Sequence, residues 1–305
     1  MDHHTEVIMI PKGFYTPPPS RKKMVFESLL KAESAEKRPF HVFLLGILYS
    51  TIGIFFELWI FKGRIANLAI FATMFAAIPL IHTMITFEET KTRSSTKERS
   101  LLKEHEKALN ACIALFLGML LSFTFWFILL PQNQAQHIFT SQIDDMTFVK
   151  SEVTGRATAP GPFSSVVVHN IMVVIFSFIL SFFFAAGAIF ILTWNASILA
   201  VALGTFVRDS LAAASSASGL PALTLFLGTF SYGFFGYMAH GIFEIASYFI
   251  AGLAGGIISV ATIRHDLFDQ HFKRIIKDAS WLMAASILLL LIGGMVEIFL
   301  SPLIF

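Results

Sequence analysis

Cysteine is almost absent. Cys112 is the only one among 305 residues, so the chain can form no intrachain disulfide and no cysteine-based metal cluster. Charge is scarce too: 14% of residues are Asp, Glu, Lys or Arg, against about a quarter in soluble domains. With 55% hydrophobic residues and a mean hydropathy of +0.72, this shortage excludes an ordinary soluble domain. No apolar run precedes Pro39, and the polar start includes Pro17, Pro18 and Pro19. A cleavable signal peptide is therefore not expected, and insertion falls to the first span. Neither a phosphate-binding glycine loop nor a nucleophile motif interrupts the apolar runs. The basic residues form short blocks between those runs rather than a recognition module, so nucleic-acid binding is not expected.

What remains is a series of apolar runs at 41–61, 65–87, 108–130, 166–187, 188–207, 220–239, 240–263 and 281–300. About 20 apolar residues in a helix cross a hydrocarbon core, and a helix satisfies its own backbone there. The fold class is therefore all-α, a polytopic transmembrane helical bundle in a lipid bilayer. Residues 1–40 read as a cytoplasmic tail, with an amphipathic helix at 21–38 suited to the membrane surface. Residues 41–130 carry the amino-terminal spans, with a charged cytoplasmic connection at 88–107 that reads as the water-exposed ends of two helices. Residues 131–165 read as a polar extracytoplasmic loop, and 166–305 as the transmembrane core.

The run 188–207 is ambiguous, because no polar turn separates it from the span before it and Asn195 interrupts it. It either crosses or forms a re-entrant, broken segment. Charge favours the second reading: with the amino terminus cytoplasmic, eighteen of the 22 basic residues then face inward, leaving Lys62, Arg64, Lys150 and Arg156. That gives about seven spans plus one re-entrant or broken helical segment, a carboxyl terminus outside, and a multi-pass protein of the cell membrane.

Ionisable side chains inside apolar runs are costly and usually face protein or water. His240 and Glu244 lie four residues apart, on one face of a helix. In the expected topology Glu297, His169 and Asn170 fall at similar depth near the outer leaflet, and Asn195 approaches from the inner side. Two imidazoles and two carboxylates suit a divalent metal, with His240 and Glu244 as ligands; they equally suit a proton relay, a polar substrate or a hydrogen-bonded structural network. No cofactor is fixed by the sequence. Elsewhere, Glu57 reads as a side chain snorkelling toward Lys62 or Arg64. The run Glu104, His105, Glu106 has metal-ligand residue types, but adjacent helical residues point different ways. Gly252 and Gly256, with Ala251 and Gly255 beside them, read as a close helix–helix contact.

These residues resemble the stage II sporulation protein M family of integral membrane proteins. The likeness over 165–305 rests on His169-Asn170 opening a span, Gly187 to Leu192 followed by Trp194-Asn195, HGIFE at 240–244, AGLAGG at 251–256, and Glu297 with Ser301-Pro302. The extra amino-terminal hairpin looks like the longer archaeal members. The resemblance implies a membrane scaffold, since the namesake is implied to recruit peptidoglycan-degrading partners during engulfment.

Two functions follow as expectations. One is a non-enzymatic membrane scaffold or assembly factor with membrane or extracytoplasmic protein partners. The other is an intramembrane metal-dependent hydrolase, or a transporter, using His240, Glu244, Glu297, His169, Asn170 and Asn195. The sequence leaves oligomerisation open.

Overall fold

A computed structural model describes residues 32–61, 65–94, 101–155, 162–184, 187–215, 222–263 and 270–299. Among these the regular structure is helical, as the apolar composition requires: α1 (Ala32–Lys37), α2 (Pro39–Phe55), α3 (Leu68–Ser94), α4 (Leu101–Leu129), α5 (Gln132–Ile138), α6 (Thr140–Gly155), α7 (Pro162–Phe184), α8 (Ala188–Ser215), α9 (Ala222–Ile263) and α10 (Gln270–Phe299). A π-helical turn, Phe56–Ile60, continues α2. Seven of these helices are long and apolar enough to span a membrane: Pro39–Ile60, Leu68–Thr92, His105–Leu129, Val167–Phe184, Ala188–Ala213, Leu223–Ile263 and Phe272–Phe299. The protein is an all-α polytopic bundle. Most of the expected surface helix at 21–38 lies outside the described residues.

α9 is the central post, packing on α7, α8 and α10 and reaching α3 and α4. Its direction relative to its neighbours is set by paired contacts. Asn170 meets Glu244 and Phe178 meets Gly255, so α7 runs parallel to α9. Glu244 meets Gly293 and Ser247 meets Ser286, so α10 runs antiparallel. α2 and α4 run parallel, touching at Gly46 and Leu115, Thr51 and Ser122, and Phe55 and Trp126. Gly46 and Gly118 permit this contact, because a Cβ on either would strike the other helix's backbone.

Three expectations about continuity are corrected. The run 188–207 is not broken: α8 is an unbroken helix of 28 residues. Asn195 stays within the helical ladder because its Nδ2 donates to Ile191 O at 2.8 Å, one turn back in its own helix. The runs 220–239 and 240–263 are not two spans but the single 42-residue helix α9. At 1.5 Å per residue it is about 63 Å long, twice a hydrocarbon core of about 30 Å. The stretch 132–155 is not a loop. After Pro131 it forms α5 and α6, joined at Phe139; Ala135, Ile138 and Phe139 are buried, with Phe139 edge-on to Phe123 and Phe127 at 5.9 and 5.5 Å.

The two ends of the bundle differ in chemistry. At one end Lys91 pairs with Glu36, Glu88 with His105, and Asp278 lies within electrostatic reach of His105. At the other, Asn67 donates to Ser141 at 2.8 Å and Arg208 Nη2 donates to Ile128 O and Leu130 O. Arg208 thus caps the carboxyl end of α4, where unpaired carbonyls and the helix dipole favour a cation. This corrects the placement of Arg208 among the inward basic residues: it shares a face with the end of α4. Because α8 reaches that face and α9 returns as one helix, the block Lys273 to Lys277 still joins the Lys91 face. Among the described basic residues, Lys91 and the block Lys273 to Lys277 thus lie at one end of the bundle and Arg208 at the other.

Candidate functional site

The polar chain at the core of the bundle is built by α7 and α9. Asn170 and Tyr248 are 8% and 3% exposed. Asn170 Nδ2 donates to Glu244 Oε1 at 2.7 Å, and Tyr248 Oη donates to Asn170 Oδ1 at 2.9 Å. The amide therefore spends its donor on the carboxyl and its acceptor on the phenol, which fixes its orientation. Glu244 and Tyr248 reach the same amide because they lie one turn apart on α9. Two turns further along α7, Ser177 Oγ donates to Tyr248 O at 2.8 Å.

α9 approaches α7 closely at Gly252 and Gly255. A Cβ on Gly255 would strike Phe178 O and come within 3.1 Å of Phe182 N, and one on Gly252 would meet the Ala188 side chain. A close small-residue contact is present at Gly252, one of the pair Gly252 and Gly256 read from the sequence, and at Gly255 beside it. On the other side of α9, Ser286 Oγ donates to Ser247 O at 2.9 Å. Gly293 of α10 packs against the Glu244 side chain. Glu297, one turn beyond Gly293, lies within electrostatic reach of Glu244.

Of the six residues singled out from the sequence, the structure brings Asn170 and Glu244 into direct contact and Glu297 near them. His240 is half-buried on the Glu244 face of α9, inside a continuous helix rather than at its start. His169 is exposed, and Asn195 bonds within its own helix. Among the described residues no three His, Cys, Asp or Glu side chains converge as a metal ion would need. The chemistry of the site is amide–carboxyl–phenol hydrogen bonding across two helices, with a second carboxyl on a third.

Sequence reasoning missed three polar elements. Tyr248 was hidden in an apolar run, although its i+4 spacing from Glu244 was available. Glu57 does not snorkel: it is 0% exposed, and its Oε2 accepts the Ala69 N–H at 2.8 Å. It thus caps α3 from the π-helical turn, a role its own Asn67 cannot take with φ at 63° and its amide on Ser141. The charged stretch from residue 88 is not simply water-exposed: Glu88 and Glu89 are 0% exposed and His105 is 2%. Lys91 bridges Glu36 and Glu88, at 2.8 and 2.5 Å, and Glu88 also meets His105 Nδ1.

Comparison with known families gives a match to the stage II sporulation protein M family over residues 111–302, most of the chain. The chain belongs to that family. The matched region begins in α4, well before the likeness read from the sequence, and it contains Asn170, Glu244, Tyr248, Glu297 and the α5–α6 elbow. Glu36, Glu57, Glu88, Lys91 and His105 precede the matched region. Comparisons with curated proteins and with solved structures gave no match.

Proposed function

We propose that this multi-pass membrane protein is a non-enzymatic scaffold, an assembly factor whose core polar residues hold helices together and whose exposed elbow docks protein partners. The observation that carries the reading is the Tyr248–Asn170–Glu244 chain. Its groups bond one another across α7 and α9, the use expected of a structural tie. The docking surface is the α5–α6 elbow. Ala135, Ile138 and Phe139 anchor it to the bundle, while Gln132, Asn133, Gln134, Gln136, His137 and Thr140 stay exposed, giving a rigid polar platform. Platforms of this kind give specificity through satisfied hydrogen bonds at a fixed geometry. In the orientation read from the basic residues, the elbow lies outside the membrane, where extracytoplasmic partners would meet it.

The test is photocrosslinking in native membranes from an unnatural amino acid at Gln136 or His137, with Trp59, 81% exposed on the apolar side of α2, as the lipid-facing control. The reading predicts discrete protein adducts from the elbow and none from position 59. An elbow that yields no adduct, beside loss of in vivo activity on Glu244→Gln with folding intact, contradicts it and favours chemistry at the polar chain.

A further inference from the structure

The buried ionic cluster at the Lys91 end precedes the region matched to the family and takes no part in the function proposed above. Three helices build it. From α1 comes Glu36, whose two carboxyl oxygens stand 2.9 and 2.8 Å from Lys91 Nζ. From α3 come Lys91 and Glu88, with Glu89 and Thr92 buried beside them. From α4 comes His105, bound through Nδ1 to Glu88, with its buried Nε2 lacking a protein partner. The groups around the cluster are Asp278 on α10, within electrostatic reach of His105, and beyond it Arg274 and Lys277; Cys112 on α4 lies within reach of Glu88 and Glu36. α1 also carries Glu33 and Lys37.

Two carboxyls, Glu36 and Glu88, share the Lys91 ammonium, and their side chains are 4% or less exposed. Two buried carboxylates on one ammonium repel when both are ionised, and one bound proton relieves that repulsion. We propose that Glu36, Lys91, Glu88 and His105 form a proton-binding clasp: with one proton taken up the cluster fastens α1 to the bundle, and losing it loosens α1.

The titration of Glu36 has the sign this needs. Burial first, and then the hydrogen bond that its protonated carboxyl donates to Glu88, push its pKa from 4.5 to about 7, while Lys91 opposes the rise. The docked state thus holds its proton more tightly than the free arm. Docking is at full strength below pH 4.5, weakens as the pH climbs through the interval between 4.5 and about 7, and levels off above it. α1 leads directly into the first span at Pro39, so the state of the clasp is felt at the start of that span.

Spin labels at Lys37 and Thr90, both exposed, in a Cys112→Ser background reconstituted in nanodiscs, report the α1–α3 distance. The clasp predicts one short distance at pH 5 and a short-distance population falling at least tenfold relative to the open one by pH 8. Glu36→Gln, which cannot ionise, keeps the short distance across the range. Lys91→Met, which removes the charge that holds the Glu36 pKa down, extends the fall of the short-distance population to higher pH than in the wild type. A wild-type distribution that does not change with pH, or a Glu36→Gln protein that titrates as wild type does, overturns the proposal. Both readouts are independent of the elbow adducts, so this inference and the scaffold reading fail separately.

Discussion

Gly255→Leu is expected to lower the stability of the bundle by roughly 3 kcal/mol or more, because the new side chain has no void to enter. It would meet the backbone of α7 at Phe178 and Phe182, and backbone atoms cannot rotate aside as a side chain can. The helices must separate, and Asn170 moves away from Glu244 as they do. Thermal unfolding in detergent of Gly255→Leu beside Gly228→Leu measures this. Position 228 lies on the same helix with nothing within 4 Å of an added Cβ, so leucine there should leave stability unchanged or raise it by up to about 1 kcal/mol through helix propensity. Equal losses at both positions would mean that glycine serves α9 through its backbone alone.

Glu88→Leu should cost about 3 kcal/mol, the second large effect. It leaves the His105 ring buried without the Glu88 carboxyl and deprives Lys91 of that carboxylate too. The loss comes from stranded polar groups rather than from the worth of the pair itself. The double variant Glu88→Leu with His105→Leu should therefore recover most of the stability, measured by the same unfolding. A double variant as unstable as the sum of its parts would place the cost elsewhere.

How much of this was legible depends on the physics behind each signal. The spans were, because apolar length is dictated by bilayer thickness and needs no tertiary knowledge. The boundary at Ala239 and His240 was not a signal from the residues at all. It came from dividing a long apolar run into lengths that suit one bilayer, and no proline or polar turn stands there to end the helix. The elbow was missed because Gln, Asn, Ser and Thr read as loop. Yet Ala135, Ile138, Phe139 and Gln142 follow helical spacing and are all buried.

The candidate site shows the same division. Asn170 and Glu244 were singled out because a polar group in lipid must be accounted for, and their contact at 2.7 Å answers that demand. Asn195 drew the same suspicion, but a short amide on a helix can bond the carbonyl one turn back, which no sequence pattern distinguishes from a reach across helices. Glu88 and His105 looked like solvent charge because they sit among other charged residues. Their burial depends on α1 and α4 closing over α3, a tertiary fact.

The central claim is that the amide–carboxyl contact between α7 and α9 ties the helices together. A double-mutant cycle on Asn170→Ala and Glu244→Gln, followed by unfolding in detergent, tests it most directly. The account predicts that each single variant is destabilised, that the effects are not additive, and that the coupling is about 1 to 2 kcal/mol. Additive effects, with a coupling indistinguishable from zero, would contradict it.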